Sequence, residues 1–209
     1  MKFYYNKEDI ECGVDEVGRG CLFGPVVAAS CIFSKEFPED LEENDIPKIR
    51  DSKKLSEKQR NIAYDFIKEY CLDYTISFID HEVIDEINIL NATYEAMHKA
   101  IDDLNIDINH ILVDGDRFKM YKTKKNDIVP HICIKGGDDK YYPIAMASIL
   151  AKVTRDRYIE ELCDKEPELH EKYDLRNNKG YGTKKHIQGI HKYGLSRYHR
   201  KTFGICKQY

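Results

Sequence analysis

Two adjacent carboxylates, Asp15 and Glu16, stand inside a strand-like run that ends in Gly18-Arg19-Gly20. Neighbouring side chains on a strand point to opposite faces, so the two acids cannot share one flat face. Acids within a strand are costly unless water, a metal or a cation meets them. Asp114 closes the short apolar run His110-Ile-Leu-Val-Asp114-Gly115, and Asp138 sits in the turn Lys135-Gly-Gly-Asp138-Asp139-Lys140. Each acid taken singly is as readily a polar strand end as a ligand. Together, Asp15, Glu16, Asp114 and Asp138 would make an all-oxygen site, which suits Mg²⁺ or Mn²⁺ rather than zinc. Two such ions about 4 Å apart serve phosphodiester hydrolysis by activating water and stabilising the leaving oxygen. Carboxylates so close cannot all stay ionised without cations.

Other chemistries fit less well. Gly18-x-Gly20-x-x-x-Gly24 resembles a dinucleotide fingerprint, but that loop must open a helix. Here Pro25-Val-Val-Ala-Ala-Ser-Cys-Ile-Phe33 follows and reads as a strand. His186 and His191 do not form the H-E-x-x-H zinc pattern. The seven cysteines contain no C-x-x-C pair. Several lie in strand-like runs as small apolar groups, as expected of a reducing cytoplasm.

The acids need elements to carry them. Strands are predicted over Glu11–Val17, Pro25–Ser34, Leu72–Ile79, His110–Gly115 and Val129–Ile134. Lys35–Lys54 is charged, holds Pro38 and Pro47, and reads as a loop. Ser56 can cap a helix carrying Ile62, Ala63, Phe66, Ile67 and Tyr70 at helical spacing. His81–Ile87 reads as a short helix. A longer one follows, with Leu90, Tyr94, Met97, Ile101 and Leu104 as its core stripe. From Pro143 to Cys163 the period is again helical, with Ser148, Lys152 and Arg155 on one face and Met146, Ile149, Leu150 and Val153 opposite. That polar face is either solvated or set beside the acids. A last helix is expected over Thr183–Tyr193.

The chain has 209 residues, 42% of them hydrophobic and 33% charged, which suits one domain with a real core. No apolar run approaches the roughly 20 residues that span a bilayer. The first residues lack a signal peptide's apolar core, so a cytoplasmic protein with no membrane partner is expected. Net charge is −4, unevenly spread. From Leu175 to Tyr209 there are nine Lys or Arg and no Asp or Glu, leaving 24 basic against 37 acidic groups before it. Such an end, bearing Tyr and His as well, favours a surface that faces a polyanion.

The ordered set Asp15-Glu16-Val17-Gly18-Arg19-Gly20, Gly24-Pro25-Val-Val-Ala-Ala, Asp51-Ser52-Lys53-Lys54-Leu55, Val113-Asp114-Gly115, Gly137-Asp138, Ala147-Ser148-Ile-Leu-Ala-Lys152-Val153-Thr-Arg155-Asp156 and Lys179-Gly180-Tyr181 resembles ribonuclease HII from about residue 12 to 203. The resemblance implies an α/β ribonuclease H-like fold, with a mixed five-stranded sheet flanked by helices and a small helical C-terminal part. Residues 1–165 would be the catalytic core. Residues 166–209 would be a basic helical region completing the same domain and the substrate groove. It also implies endonucleolytic cleavage of RNA in RNA–DNA hybrids and on the 5′ side of single ribonucleotides embedded in duplex DNA, giving 3′-hydroxyl and 5′-phosphate ends.

By the same resemblance Asp15, Glu16, Asp114 and Asp138 bind two Mn²⁺ or Mg²⁺ ions, with Asp139 open to exchange for Asp138. Gly18, Arg19 and Gly20 sense the 2′-hydroxyl, the one group that tells RNA from DNA at a single nucleotide. Tyr181 stacks at the junction, and Lys53, Lys152 and Arg155 touch backbone phosphate. A monomer is expected. The alternatives are a ribonuclease HIII-like nuclease, whose extra N-terminal domain this chain has no room for, and a hybrid-binding module without catalysis. Four carboxylates argue against the second, because a phosphate binder has no use for them.

Overall fold

Strand β2 (Val26–Ile32) is buried at every position, so both of its faces must be covered. Val27, Ala29 and Cys31 enter one apolar cluster, and Val26, Ala28 and Ile32 enter another on the opposite side. The alternation is that of a strand sandwiched between helices. The computed structural model describes residues 1–39 and 41–209. Its main sheet comprises β1 (Glu11–Val17), β2, β3 (Asp73–Ile79), β4 (His110–Asp114) and β7 (His131–Ile134), in the order β3-β2-β1-β4-β7. β2 runs antiparallel to both β1 and β3, and β4 lies parallel to both β1 and β7. This is the mixed five-stranded sheet expected from the resemblance.

One face is covered by α1 (Glu57–Tyr70) and α4 (Tyr142–Lys165), the other by α2 (His81–Ile87) and α3 (Ile89–Asp102). Ser56 starts α1 through a capping box with Gln59, as its position predicted. The stripes are less regular than the sequence suggested. Ile62 and Leu90, expected in the core, are exposed, and α3 packs chiefly through Ala92, Ala96, Met97, Ala100 and Ile101. Alanines let the helix approach β2 closely, and larger residues would hold it off. Within the predicted loop, Glu43–Asp45 and Ser52–Lys54 form short 3₁₀ turns.

The predicted strand Val129–Ile134 divides at Pro130. Ile128–Val129 (β6) pairs with Tyr121–Lys122 (β5) in a separate hairpin, while β7 joins the main sheet. Proline has no N–H to give a ladder, but its carbonyl accepts from the Ile111 amide at 2.9 Å.

Helices α5 (Glu168–Tyr173), α6 (Leu175–Asn178) and α7 (Lys184–Tyr193) pack through Leu169, Tyr173, Leu175 and Ile190. Their partners are Leu22, Phe23, Ile159 and Cys163. The basic end is thereby fixed to the turn that follows β1. Among the described residues no helix is long and apolar enough to cross a membrane.

Candidate active site

Register decides which acids meet. Val14 lies beside Val113 in the parallel β1–β4 pair, so Asp15 and Asp114 emerge together at the strands' carboxyl ends. Val14 and Val113 face α3, whereas Leu112 packs on Tyr141 and Ile144 at the start of α4. Strand alternation therefore turns Asp15 and Asp114 toward α4 and Glu16 away from it. Asp138 reaches the same place from the 3₁₀ turn Gly137–Asp139, just before α4. Carboxylate oxygens of Asp15, Asp114 and Asp138 lie within 4.8 Å of one another.

Glu16 stands outside this trio. It accepts a hydrogen bond from Arg19 Nη1 at 3.1 Å but remains close enough to act electrostatically on Asp15. Asp139 is outside too, held by Lys54 and facing Arg50, so of the two neighbouring aspartates Asp138 is the one that lies with Asp15 and Asp114. Asp9, Glu11 and His110 form another acid–imidazole group at the opposite end of β1 and β4. There both Glu11 oxygens already accept the amides of Tyr5 and Asn6 at 2.8 Å.

The trio is held in place by neutral donors. The Asp15 carboxylate accepts from the Glu16 amide at 2.7 Å and from the Ser148 hydroxyl, which is itself 3.0 Å from Ser52 Oγ. Asp114 Oδ1 accepts from the Gly137 amide at 2.7 Å. Ser148 bears out the reading that the polar face of α4 could lie beside the acids, whereas nothing in the sequence marked Ser52 as its partner.

Electrostatically the site is strained. Burial, then Glu16 and Asp114, push the Asp15 carboxyl well above the carboxylate range. Burial also raises Glu16, against the pull of Arg19. Asp138 is pushed up to about 6 by burial and by Asp114 and Asp51, with Lys53 opposing. A buried, oxygen-only cluster whose charges repel one another is what a hard divalent cation relieves, so the donor set fits such an ion.

The glycine turn meets buried cations. Gly18 has φ +92°, and a Cβ there would lie 2.4 Å from Arg155 Nε, so only glycine fits. A Cβ on the exposed Gly20 would meet nothing within 4 Å, which leaves that side open to a partner outside the chain.

Three basic residues do not stand where the sequence suggested. Arg155 is fully buried and cannot touch phosphate. Its Nε, Nη1 and Nη2 donate to the carbonyls of Pro25, Lys179 and Phe23 at 2.9, 2.7 and 2.9 Å. The expected polar face of α4 is thus an internal one, because the basic end folds over it. Lys152 is committed as well, donating to Asp156 at 2.7 Å with only 16% of its side chain exposed. Arg200, counted with the basic surface, is also buried and donates to Gly24 O and Arg19 O at 2.9 and 3.1 Å. Lys53 is exposed near Asp138, and Tyr181 is 38% exposed beside Cys21.

Hard-cation chemistry at the open end of such a sheet defines the class, a metal-dependent nuclease with a ribonuclease H fold. The pattern of the ribonuclease HII family matches residues 12–206. Ribonuclease HII of Christiangramia forsetii is 44% identical over 205 residues, covering 98% of this chain and 96% of that one. Ribonuclease HII of Phocaeicola vulgatus is 45% identical over 202 residues, covering 97% and 92%. The crystal structure of ribonuclease H2 from Pyrococcus horikoshii matches with a TM-score of 0.73 at 27% identity, over 95% of each chain. The chain belongs to the ribonuclease HII family. It is a divalent-metal-dependent endonuclease of ribonuclease H type 2, acting on RNA–DNA hybrids. Neither the ribonuclease HIII-like nor the non-catalytic alternative is favoured.

Proposed function

We propose that the enzyme cuts the 5′ side of ribonucleotides, including single ones embedded in duplex DNA, and leaves 3′-hydroxyl and 5′-phosphate ends. Asp15, Glu16, Asp114 and Asp138 are the metal-binding carboxylates, and Mg²⁺ or Mn²⁺ is the ion. The observation that carries this reading is the approach of Asp15, Asp114 and Asp138 within 4.8 Å, three acids from distant segments brought together at energetic cost. When bound, the divalent ions supply Lewis acidity at the scissile phosphate.

The chain's own groups do the rest. Ser148 and the amides of Glu16 and Gly137 fix the carboxylates of Asp15 and Asp114, which would hold the ions. Arg19 holds Glu16 at the edge of the cluster and links the acids to the glycine turn. Gly18-Arg19-Gly20 presents backbone to the 2′-hydroxyl, which is recognised and is not the nucleophile. The open space at Gly20 supports that role. Tyr181 stacks at the junction, and exposed Lys53 takes a backbone phosphate. Arg155 has no place in phosphate contact, and Lys152 reaches a phosphate only by leaving Asp156.

Residues 166–209 complete the groove of the single domain built on residues 1–165. Seven free thiols support work in a reducing cytoplasm. A monomer is proposed: one chain supplies every acid of the site, so no second copy is needed to complete it.

The test is a duplex carrying one embedded ribonucleotide, incubated with Mg²⁺, Mn²⁺ or EDTA. The reading expects one cut 5′ of the ribonucleotide with either metal and none with EDTA. A product ending in a 2′,3′-cyclic phosphate, or cutting that persists in EDTA, would overturn it.

A further inference from the structure

His186, in α7, and His199, in the C-terminal segment, are both fully buried, and their Nε2 atoms lie 3.0 Å apart. Two ring nitrogens at that distance need one proton between them. The two ends of the chain of hydrogen bonds decide whose proton it is. The Ser196 amide, which can only donate, points at His199 Nδ1 from 2.9 Å, with the Ser196 hydroxyl at 2.8 Å. His199 Nδ1 is therefore an acceptor and the ring carries its proton on Nε2. That proton is given to His186 Nε2. His186 in turn carries its own proton on Nδ1, which faces the Tyr181 carbonyl, an obligate acceptor, at 2.9 Å. Every ring nitrogen is satisfied with both rings neutral.

The surroundings keep them neutral. Tyr173 and Phe23 pack against the His199 ring at 4.8 and 5.2 Å between centroids. Burial and the neighbouring His186 and His81 push His199 down to about 3, and burial lowers His186. No carboxylate pairs with either ring among the described residues.

The receiving end of this relay belongs to the segment assigned above to the substrate. Tyr181 bridges to Cys21, and Leu22 N donates to Gly180 O at 2.9 Å, so the backbone at 180–181 is laid along the glycine turn. The Tyr181 ring itself is partly exposed, so its direction is set through its backbone.

We infer that His186 is a positioning residue for substrate binding: its Nδ1–H clamps the Tyr181 carbonyl, and His199 fixes the tautomer that makes the clamp possible. This inference rests on the reading of Tyr181 as the residue that stacks at the RNA–DNA junction. The clamp acts before chemistry, so losing it weakens binding of the ribonucleotide duplex and leaves the cleavage step alone.

The test has two arms on the full-length enzyme. Nitrogen-15 NMR of histidine-labelled parent protein reads the tautomers directly and needs no variant. The expected result is a proton on Nδ1 of His186 and on Nε2 of His199, and the reverse order would overturn the inference. Steady-state cleavage of the single-ribonucleotide duplex then compares Tyr181→Ala, His186→Gln and His186→Asn. Asparagine places its amide N–H where Nδ1–H was, whereas glutamine reaches only the Nε2 position. His186→Gln should raise KM about fivefold, the loss of one net hydrogen bond, with kcat within about twofold. His186→Asn should restore most of that KM. Equal KM for the two His186 variants, or a raised KM in Tyr181→Ala without one in His186→Gln, would overturn the clamp. An unchanged KM in Tyr181→Ala would instead remove the stacking reading on which the clamp depends.

Discussion

Replacing Asp138 by Asn should make the metal-free enzyme more stable while destroying its activity. Asp138 is buried among like charges and titrates near 6 rather than 3.8. At pH 7, above both values, the ionised carboxylate is present in the folded and unfolded chain alike, and the folded one is disfavoured. The penalty is at most about 3 kcal/mol, from 1.36 kcal/mol for each tenfold change in proton affinity. Water at the site's mouth screens part of it, so about 2 kcal/mol is the working figure. In a chain of this length that corresponds to about 4–8 °C in Tm. The gain should shrink below about pH 6 and vanish below about pH 4, where the parent carboxyl is protonated in both states. The assay is thermal unfolding of parent and Asp138→Asn in EDTA at pH 7 and pH 4, repeated with millimolar Mn²⁺. Metal that binds only the folded state raises Tm by mass action. The parent should therefore rise in Mn²⁺ and the variant should rise far less. A variant less stable than the parent in EDTA at pH 7, or one with the parent's full response to Mn²⁺, would refute the reasoning.

Other perturbations separate roles that look alike in the sequence. Gly18→Ala should cost about 2–4 kcal/mol, because it adds a Cβ at positive φ against Arg155. Gly20→Ala should unfold like the parent yet lose about tenfold or more on the single-ribonucleotide duplex, and urea denaturation beside cleavage assays reads both. Arg155→Lys should lose at least about 3 kcal/mol, since three carbonyls lose the fork that serves them. It should leave the salt dependence of duplex binding unchanged; a slope reduced by about one would restore the phosphate role. Finally, His199 stays neutral in the folded protein down to about pH 3, whereas unfolded it accepts a proton near 6.5. The unfolded state then binds the extra proton, so this residue withdraws about 2 kcal/mol of stability between pH 7 and pH 5. The raised acids Asp15, Glu16 and Asp138 act in the opposite direction over that range. The contribution is read as the stability difference between parent and His199→Asn, which should narrow by about 2 kcal/mol on going from pH 7 to pH 5. A difference independent of pH would show that His199 titrates normally.

Much of this molecule was open to reading from its residues. Period-two and period-3.6 patterning located all five main strands, the last of them two residues too long, and the long helices, because those periods reflect which side of each element is buried. Strand β1 and helix α2 fall where the pattern placed them, and the Ser56 cap declared the start of α1. The β5–β6 hairpin escaped notice because a two-residue strand carries too few side chains to show a period. Pro130 marked the break that divides β6 from β7, but only a known sheet order says that the two halves join different sheets.

What the residues by themselves determined was the kind of chemistry. Acids at strand ends, glycines at a turn and a basic C-terminal stretch form an ordered set that belongs to one family. What only the tertiary structure decided was which charges face outward and which acids meet. Asp15 joins Asp114 and Asp138 because a parallel register sets β1 beside β4, while Glu16, one residue on, is turned away by strand alternation. Arg155 and Arg200 look like phosphate contacts in a list of basic residues, yet they are spent on buried carbonyls because the C-terminal helices close over them. Charge is a local property of the chain. Exposure and proximity depend on segments as much as a hundred residues or more apart, and no local pattern records them.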